Sequence, residues 1–300
     1  MSNSGKLPPY LAAADLDAFL LRGLATDIGT GDVTSLATVG THSEIQAQFV
    51  ARETGIAAGL FVAQRVFALL NPPAEISWNT RDGAAVSPDD TLGTVTGRAR
   101  TILQGERLSL NLMQRMSGIA TATHALVQAA HPVRVRDTRK TAPGMNLLDK
   151  WAVVLGGGEN HRLGLYDRML IKDNHIAAAG GVAAAICRSV AYRKRQAQGI
   201  RIEVEVRTDA ELEEALTTGG FDELLLDNMV TALADGTVDA SRLASAVARI
   251  GGRYTTEASG NVSLCSAKAI AATGVDYVSC GALTHSVRAL DIALCAQKQL

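Results

Sequence analysis

Residues 202–227 read IEVEVRTDAELEEALTTGGFDELLLD, and their rhythm decides the fold. Ile202–Val206 and Glu223–Asp227 are short runs with strand character, and Ala210–Thr217 between them has helical character. Working outward, the same rhythm recurs. Further strands are predicted at Val133–Asp137, Met169–Lys172, Arg253–Glu257 and Asp276–Ser279, with alanine-rich helices at Val182–Gln196 and Ser241–Ile250. Alternating strands and helices with short connections imply a parallel sheet, either doubly wound or closed as a barrel. No GxGxxG follows the first strand, which disfavours the dinucleotide-binding form. The fold class is therefore α/β, with an open, incomplete barrel of six parallel strands.

The first third of the chain has a different pattern. Helical spacing covers Tyr10–Leu24 and Leu60–Leu70; strands are predicted at Glu44–Arg52, Glu75–Thr80 and Leu92–Thr96. In Glu44–Arg52 the residues Ile45, Ala47, Phe49 and Ala51 share one face. A long helix is expected over Ala99–Ala130, interrupted near Gly118. Together these make a small α/β layer that ends in helices.

Composition narrows the function. The 300 residues carry a net charge of −1 and only 4% aromatics, which excludes the basic stripe or stacking platform of a nucleic-acid binder. No stretch approaches the roughly 20 apolar residues of a membrane span, and the opening MSNSGKLPPY is unlike a secretory signal. Four scattered cysteines without a CxxC pair suggest reduced thiols in the cytoplasm and no thiolate zinc site.

Polar residues gather at the carboxyl ends of the barrel strands, the face on which α/β barrels build active sites. The first strand runs into Asp137-Thr138-Arg139-Lys140, the second into Lys172-Asp173-Asn174-His175, and the fourth into Asp227-Asn228. The fifth ends at Glu257-Ala258-Ser259-Gly260-Asn261 and the sixth at Cys280-Gly281-Ala282. Arg139, Lys140, Arg162 and Lys172 give a concentrated positive field for a multiply anionic substrate. Glu205 and Asp227 suit ribose hydroxyls or a hydrated Mg²⁺. Ser259-Gly260-Asn261 and Gly281-Ala282 offer backbone N–H groups to phosphate. Glu203 shares a face with Glu205, and an inner barrel strand has no solvent face, so both are expected buried with partners. The ordinary readings are that Gly156-Gly157-Gly158 ends a helix, that His124 and His131 sit at helix ends, and that Cys280 is a small buried residue.

With these residues in view, the chain closely resembles the quinolinate phosphoribosyltransferases. The match centres on DTRKTAPGMNLLDKWAVVLGGGENHRLGLYDRMLIKDNHI at 137–176. GDVTS at 31–35, GERLSLNLMQRMSGIAT at 105–121, IEVEV at 202–206, LLLDNM at 224–229, EASGNVS at 257–263 and GVDYVSCGALTHS at 274–286 support it. The resemblance implies an N-terminal α/β sandwich over residues 1–117, joined by the segment 285–300, and an open barrel over 118–284. It implies that Arg107 of one subunit of a homodimer or larger assembly reaches a substrate carboxylate bound in its neighbour. Arg139, His161, Arg162 and Lys172 then surround quinolinate. Thr138, Arg139, Lys140, Glu205, Asp227, Ser259, Gly260, Asn261, Cys280, Gly281 and Ala282 surround phosphoribosyl pyrophosphate and its Mg²⁺. Lys140, Lys172, Glu205 and Asp227 carry the catalytic roles, with the metal held mainly by the pyrophosphate near Glu205 and Asp227. The implied reaction converts quinolinate and phosphoribosyl pyrophosphate to nicotinate mononucleotide, pyrophosphate and CO₂ in NAD biosynthesis. Asn261 departs from the family, which usually has a second glycine there; asparagine tolerates positive φ better than most residues. The alternatives are a paralogue acting on nicotinate or another aromatic acid, a Schiff-base lyase built on Lys172, and a non-catalytic anion binder.

Overall fold

The computed structural model describes residues 7–196, 199–233 and 237–297. Residues 1–6 of the opening stretch and 298–300 of the C-terminal segment lie outside them. Two compact units divide the chain: one takes the described parts of Met1–His124, Leu147–Gly157 and Val287–Leu300, the other Ala125–Asn146 and Gly158–Ser286. In chain order the longer strands are β1 (Glu44–Ala51), β2 (Glu75–Trp78), β3 (Thr91–Arg98), β4 (Arg134–Arg136), β5 (Met169–Ile171), β6 (Ile202–Val206), β7 (Glu223–Asp227), β8 (Thr255–Ser259), β9 (Tyr277–Ser279) and β10 (Ile292–Ala296).

In the first unit, an antiparallel sheet has the order β10-β1-β3-β2. The alternation in β1 buries Ala47, Phe49 and Ala51 against Leu60, Ala63 and Phe67 of the helix Leu60–Ala68. The helix Ala13–Ile28 buries Leu16, Leu20 and Leu24, one residue per turn or so, as an amphipathic helix must. The helix Ala99–Ala130 runs unbroken through Gly118, contrary to the interruption expected there. Gly118 serves packing instead: a Cβ at that position would lie 2.1 Å from the Arg288 carbonyl oxygen. Gly156 likewise lies against the Ala120 backbone, and Gly157, at φ +91°, follows the helix that ends at Leu155.

The second unit is an all-parallel sheet of order β4-β9-β8-β7-β6-β5, whose end strands β4 and β5 do not pair. It is the expected open α/β barrel. Period two divides each strand. Val204, Val206, Leu224, Leu226, Ala258 and Val278 join the helices in one apolar core. Register brings the alternate set together on the inner face: Glu203 opposite Glu223, Glu205 opposite Leu225, and Leu225 opposite Glu257. The strand predicted at Arg253–Glu257 runs Thr255–Ser259, two residues later. That shift keeps the faces but moves Glu257 from the strand's end to its middle.

Candidate active site

The inner face is charged where most barrels are apolar. Arg136 Nη1 donates to Glu223 Oε2 at 2.8 Å and to Glu257 Oε2 at 2.6 Å, and its guanidinium stacks 3.3 Å from the centroid of the Tyr277 ring. Arg168 and Arg201 add contacts to Glu223 at 2.7 and 2.8 Å. All the carboxylates of this layer are buried, so the arginines are what makes their ionisation tolerable. Burial raises the Glu223 carboxyl, but Arg136, Arg168 and Arg201 outweigh it and bring it down to about 2. Glu257 goes the other way: burial first, then the charge of Glu203, pushes its carboxyl up despite Arg136.

The loop that carries His161 is fastened by Asp137. Its two carboxylate oxygens accept the His161 backbone N–H at 2.9 Å and the Asn160 amide at 2.7 Å. The imidazole then points inward, with Nε2 2.7 Å from Glu203 Oε2 and 3.6 Å from Glu257 Oε1. Sequence reading grouped Asp137 with the strand end and missed its anchoring role. It also missed Arg136, Glu223 and Glu257 as a supporting layer, because their partners come from strands far apart in the chain.

Above this layer is a cavity of about 280 Å³ lined by Thr138, Arg139, Lys140, His161, Arg162, Leu170, Lys172, Leu225, Glu257, Ser259 and Ser279. Seven of the predicted residues therefore line one pocket: Thr138, Arg139, Lys140, His161, Arg162, Lys172 and Ser259. Arg162 is buried and makes no ion pair among the described residues; its guanidinium reaches only the Arg168 carbonyl, at 3.4 Å. Burial and then the neighbouring Arg139 lower its hold on a proton, with Glu203 opposing. This is a cation that lacks a counter-ion.

Lys172 connects the pocket to the acidic pair, its Nζ 3.0 Å from Glu205 Oε2. Glu205 is buried as expected, and Arg207 bridges Glu205, Asp173 and Asp227 at 2.9, 2.8 and 3.2 Å. Desolvation opposes the charge of Arg207, but Glu205, Asp173 and Asp227 together strengthen its hold on the proton. The sequence reading assigned Arg207 no role, and nothing in its type or spacing marked one.

Of the glycine-bearing segments expected to receive phosphate, Ser259 lines the cavity and Gly260 and Asn261 form a tight turn after β8. Gly260 has φ +88° and lies against Asn228, where a Cβ would meet Oδ1 at 2.1 Å. Asn261 follows at φ +54°, the left-handed backbone that its side chain type tolerates. Gly281 packs on Lys140, whose Cδ would be 2.9 Å from an added Cβ. Cys280 is buried, and desolvation pushes its thiol up, which fits a packing residue and not a nucleophile. Ala282 is exposed at the start of the short helix Ala282–His285. Neither Cys280, Gly281 nor Ala282 lines the cavity. Arg107 belongs to the first unit, where it is exposed and lines a separate groove with Phe19, Arg22 and Asn111.

A parallel barrel with a cation-lined pocket at the carboxyl ends of its strands, beside an acidic pair of which Glu205 is buried, defines an enzyme for a small polyanionic substrate. The chain belongs to the quinolinate phosphoribosyl transferase family: residues 119–295 match its C-terminal domain and residues 32–117 its N-terminal domain. It is 47% identical over 293 residues to quinolinate phosphoribosyltransferase (decarboxylating) 1b of Nicotiana tabacum, across 96% of this chain and 84% of that one. The chloroplastic nicotinate-nucleotide pyrophosphorylase (carboxylating) of Arabidopsis thaliana is 47% identical over 296 residues, 97% of this chain and 85% of that one. The crystal structure of NadC from Streptococcus pyogenes matches with a TM-score of 0.88 at 35% identity, over 98% of this chain and 100% of that one.

Proposed function

We propose that this chain is a decarboxylating quinolinate phosphoribosyltransferase that makes nicotinate mononucleotide for NAD biosynthesis. The observation that carries the reading is Arg162, buried beside Arg139 and Lys172 without a carboxylate partner of its own among the described residues. A pyridine dicarboxylate supplies the missing anions. Arg139, His161, Arg162 and Lys172 hold the two carboxylates and so fix the ring, an effect of positioning.

The ring nitrogen's lone pair then forms a bond to C1 of the ribose while the C1–oxygen bond breaks and pyrophosphate leaves with its electron pair. Lys140 faces the departing charge, and Glu205 and Asp227 orient the ribose and favour the positive charge that develops on it. The backbone at Thr138, Ser259, Gly260, Asn261, Cys280, Gly281 and Ala282 receives the phosphates. The carboxylate beside the now cationic ring nitrogen is lost as CO₂, its bonding electrons remaining on the ring carbon, which takes a proton from solvent. Glu205 and Asp227 are oxygen donors of the kind Mg²⁺ takes, and with pyrophosphate oxygens they would hold one that neutralises the leaving group.

Arg107 belongs to the first unit, and we assign it to the site of a neighbouring copy in a homodimer or larger homo-oligomer. Among the described residues no single helix is long and apolar enough to cross a membrane. We place the chain in the cytoplasm on its free cysteines, although the Arabidopsis relative is a chloroplastic protein.

The test is an assay with phosphoribosyl pyrophosphate and Mg²⁺ that compares quinolinate with nicotinate and follows mononucleotide and labelled CO₂ together. Equal amounts of both products from quinolinate alone are expected. Product from nicotinate but none from quinolinate would overturn the dicarboxylate assignment. The Schiff-base reading is disfavoured because Lys172 Nζ is engaged by Glu205, whereas attack on a carbonyl needs a free amine lone pair.

A further inference from the structure

Glu205 and Asp227 are tied down by the protein's own cations. Glu205 Oε1 takes Arg207 at 2.9 Å and Oε2 takes Lys172 at 3.0 Å, so each oxygen already has a positive partner. Asp227 Oδ2 takes Arg207 Nε at 3.2 Å and the Asn228 amide at 2.8 Å. Asp173 completes the group at 2.8 Å from Arg207 Nη1. Three carboxylates thus face two cations, leaving one negative charge in excess. A divalent ion approaching Glu205 would find a cation already on each carboxylate oxygen.

We propose that Arg207 is an internal counter-cation that keeps free divalent metal off the Glu205–Asp227 pair, so that the metal enters only when carried by a diphosphate-bearing sugar. The proposal deepens the functional reading above and rests on it for the sugar diphosphate. The chemistry favours displacement over removal. Arg207 is half exposed and lies on the loop after β6, with Asp173 as an exposed partner to retain it. A guanidinium is only weakly hydrated and offers several N–H donors, so it can release a carboxylate and turn to an arriving phosphate oxygen. A bare Mg²⁺ brings no such acceptor, and must compete with Arg207 and Lys172 for the same oxygens. A metal already bound to diphosphate brings oxygens that replace the carboxylates as partners of Arg207. The arrangement selects the metal–substrate complex over the metal.

Binding of Mn²⁺, followed by electron paramagnetic resonance on the full chain without substrate, tests this directly. The wild type is expected to leave Mn²⁺ free where Arg207→Ala binds one ion at least tenfold more tightly. Arg207→Ala combined with Glu205→Gln should lose that ion again, which locates it. Arg207→Lys, which keeps one charge but cannot bridge three carboxylates, should fall between and guards against a folding defect in the alanine variant. A wild type that binds free Mn²⁺ as tightly as Arg207→Ala would overturn the proposal, as would an alanine variant with no gain. A parallel titration with Mn²⁺ and phosphoribosyl pyrophosphate separates the two readings. If neither protein binds that complex, the substrate assignment fails, while the free-metal comparison still decides the role of Arg207.

Discussion

Lys172 Nζ stands 3.0 Å from Glu205 Oε2, so one side chain belongs both to the cation-lined pocket and to the acidic pair beside it. On the proposed assignment of the ring to the pocket and the sugar to the acidic pair, a substrate entering either one changes the partner left for the other. That relationship gives the first prediction.

Lys172→Met should lower kcat/KM for quinolinate by at least about 100-fold, the scale of removing one positioned charge from a transition state. The fold should survive, because Arg207 still pairs with the buried Glu205 at 2.9 Å when the Lys172 ammonium is gone. Steady-state kinetics beside a thermal melt checks both halves. Wild-type turnover, or loss of folding in step with activity, would remove Lys172 from the site. Arg162→Ala should show the same loss of turnover with unimpaired folding.

How much of this was legible in the sequence depends on the range of the interaction. The carboxyl-end residues Arg139, Lys140 and Lys172 could be placed because each lies at or within three residues of the end of a predicted strand, and strand ends are local information. Burial of Glu203 and Glu205 followed from strand period and the absence of a solvent face. The charged floor did not follow. Arg136, Glu223 and Glu257 meet only once the register sets β7 between β6 and β8 and β9 beside β4, which no local pattern encodes. Gly118 misled for a related reason. Glycine's weak helix propensity pointed to a break, while its actual neighbour, the Arg288 carbonyl, is 170 residues further along the chain.

Gly118→Ala should therefore destabilise the protein even though alanine is the better helix former. The added Cβ would be 2.1 Å from a backbone oxygen, which no rotamer can relieve. Overpacking of this kind costs about 1–3 kcal/mol, and exceeds the gain of about 1 kcal/mol from helix propensity. Urea denaturation measures it; a variant more stable than wild type would show that the helix and the C-terminal segment separate at no cost.

Asn261 supports a prediction that separates backbone from side chain. At φ +54° it pays a conformational cost that glycine escapes, so Asn261→Gly should keep wild-type turnover and stability to within about 1 kcal/mol. Asn261→Val, β-branched in a left-handed conformation, should lose about 1–3 kcal/mol and disturb the neighbouring Gly260, raising KM for phosphoribosyl pyrophosphate. If Asn261→Gly instead raises KM as much as Asn261→Val does, the asparagine side chain and not the backbone is what the substrate meets.

The buried arginine–carboxylate floor predicts how the protein responds to acid. Glu223 titrates at about 2 in the folded chain against 4.5 unperturbed, so the unfolded state binds its proton first as the pH falls. Its contribution to stability is complete above pH 4.5 and is lost as the pH drops toward 2. Glu257 is shifted upward, so it takes up its proton early and adds nothing to that loss. Glu223→Gln should lower stability near neutral pH by about 3–5 kcal/mol, because Arg136, Arg168 and Arg201 would face a neutral amide in a buried site. The same variant should show a shallower fall in melting temperature between pH 4.5 and 2.5 than the wild type. Calorimetry across that range checks both signs, and equally steep curves in the two proteins would mean that the acid response arises elsewhere.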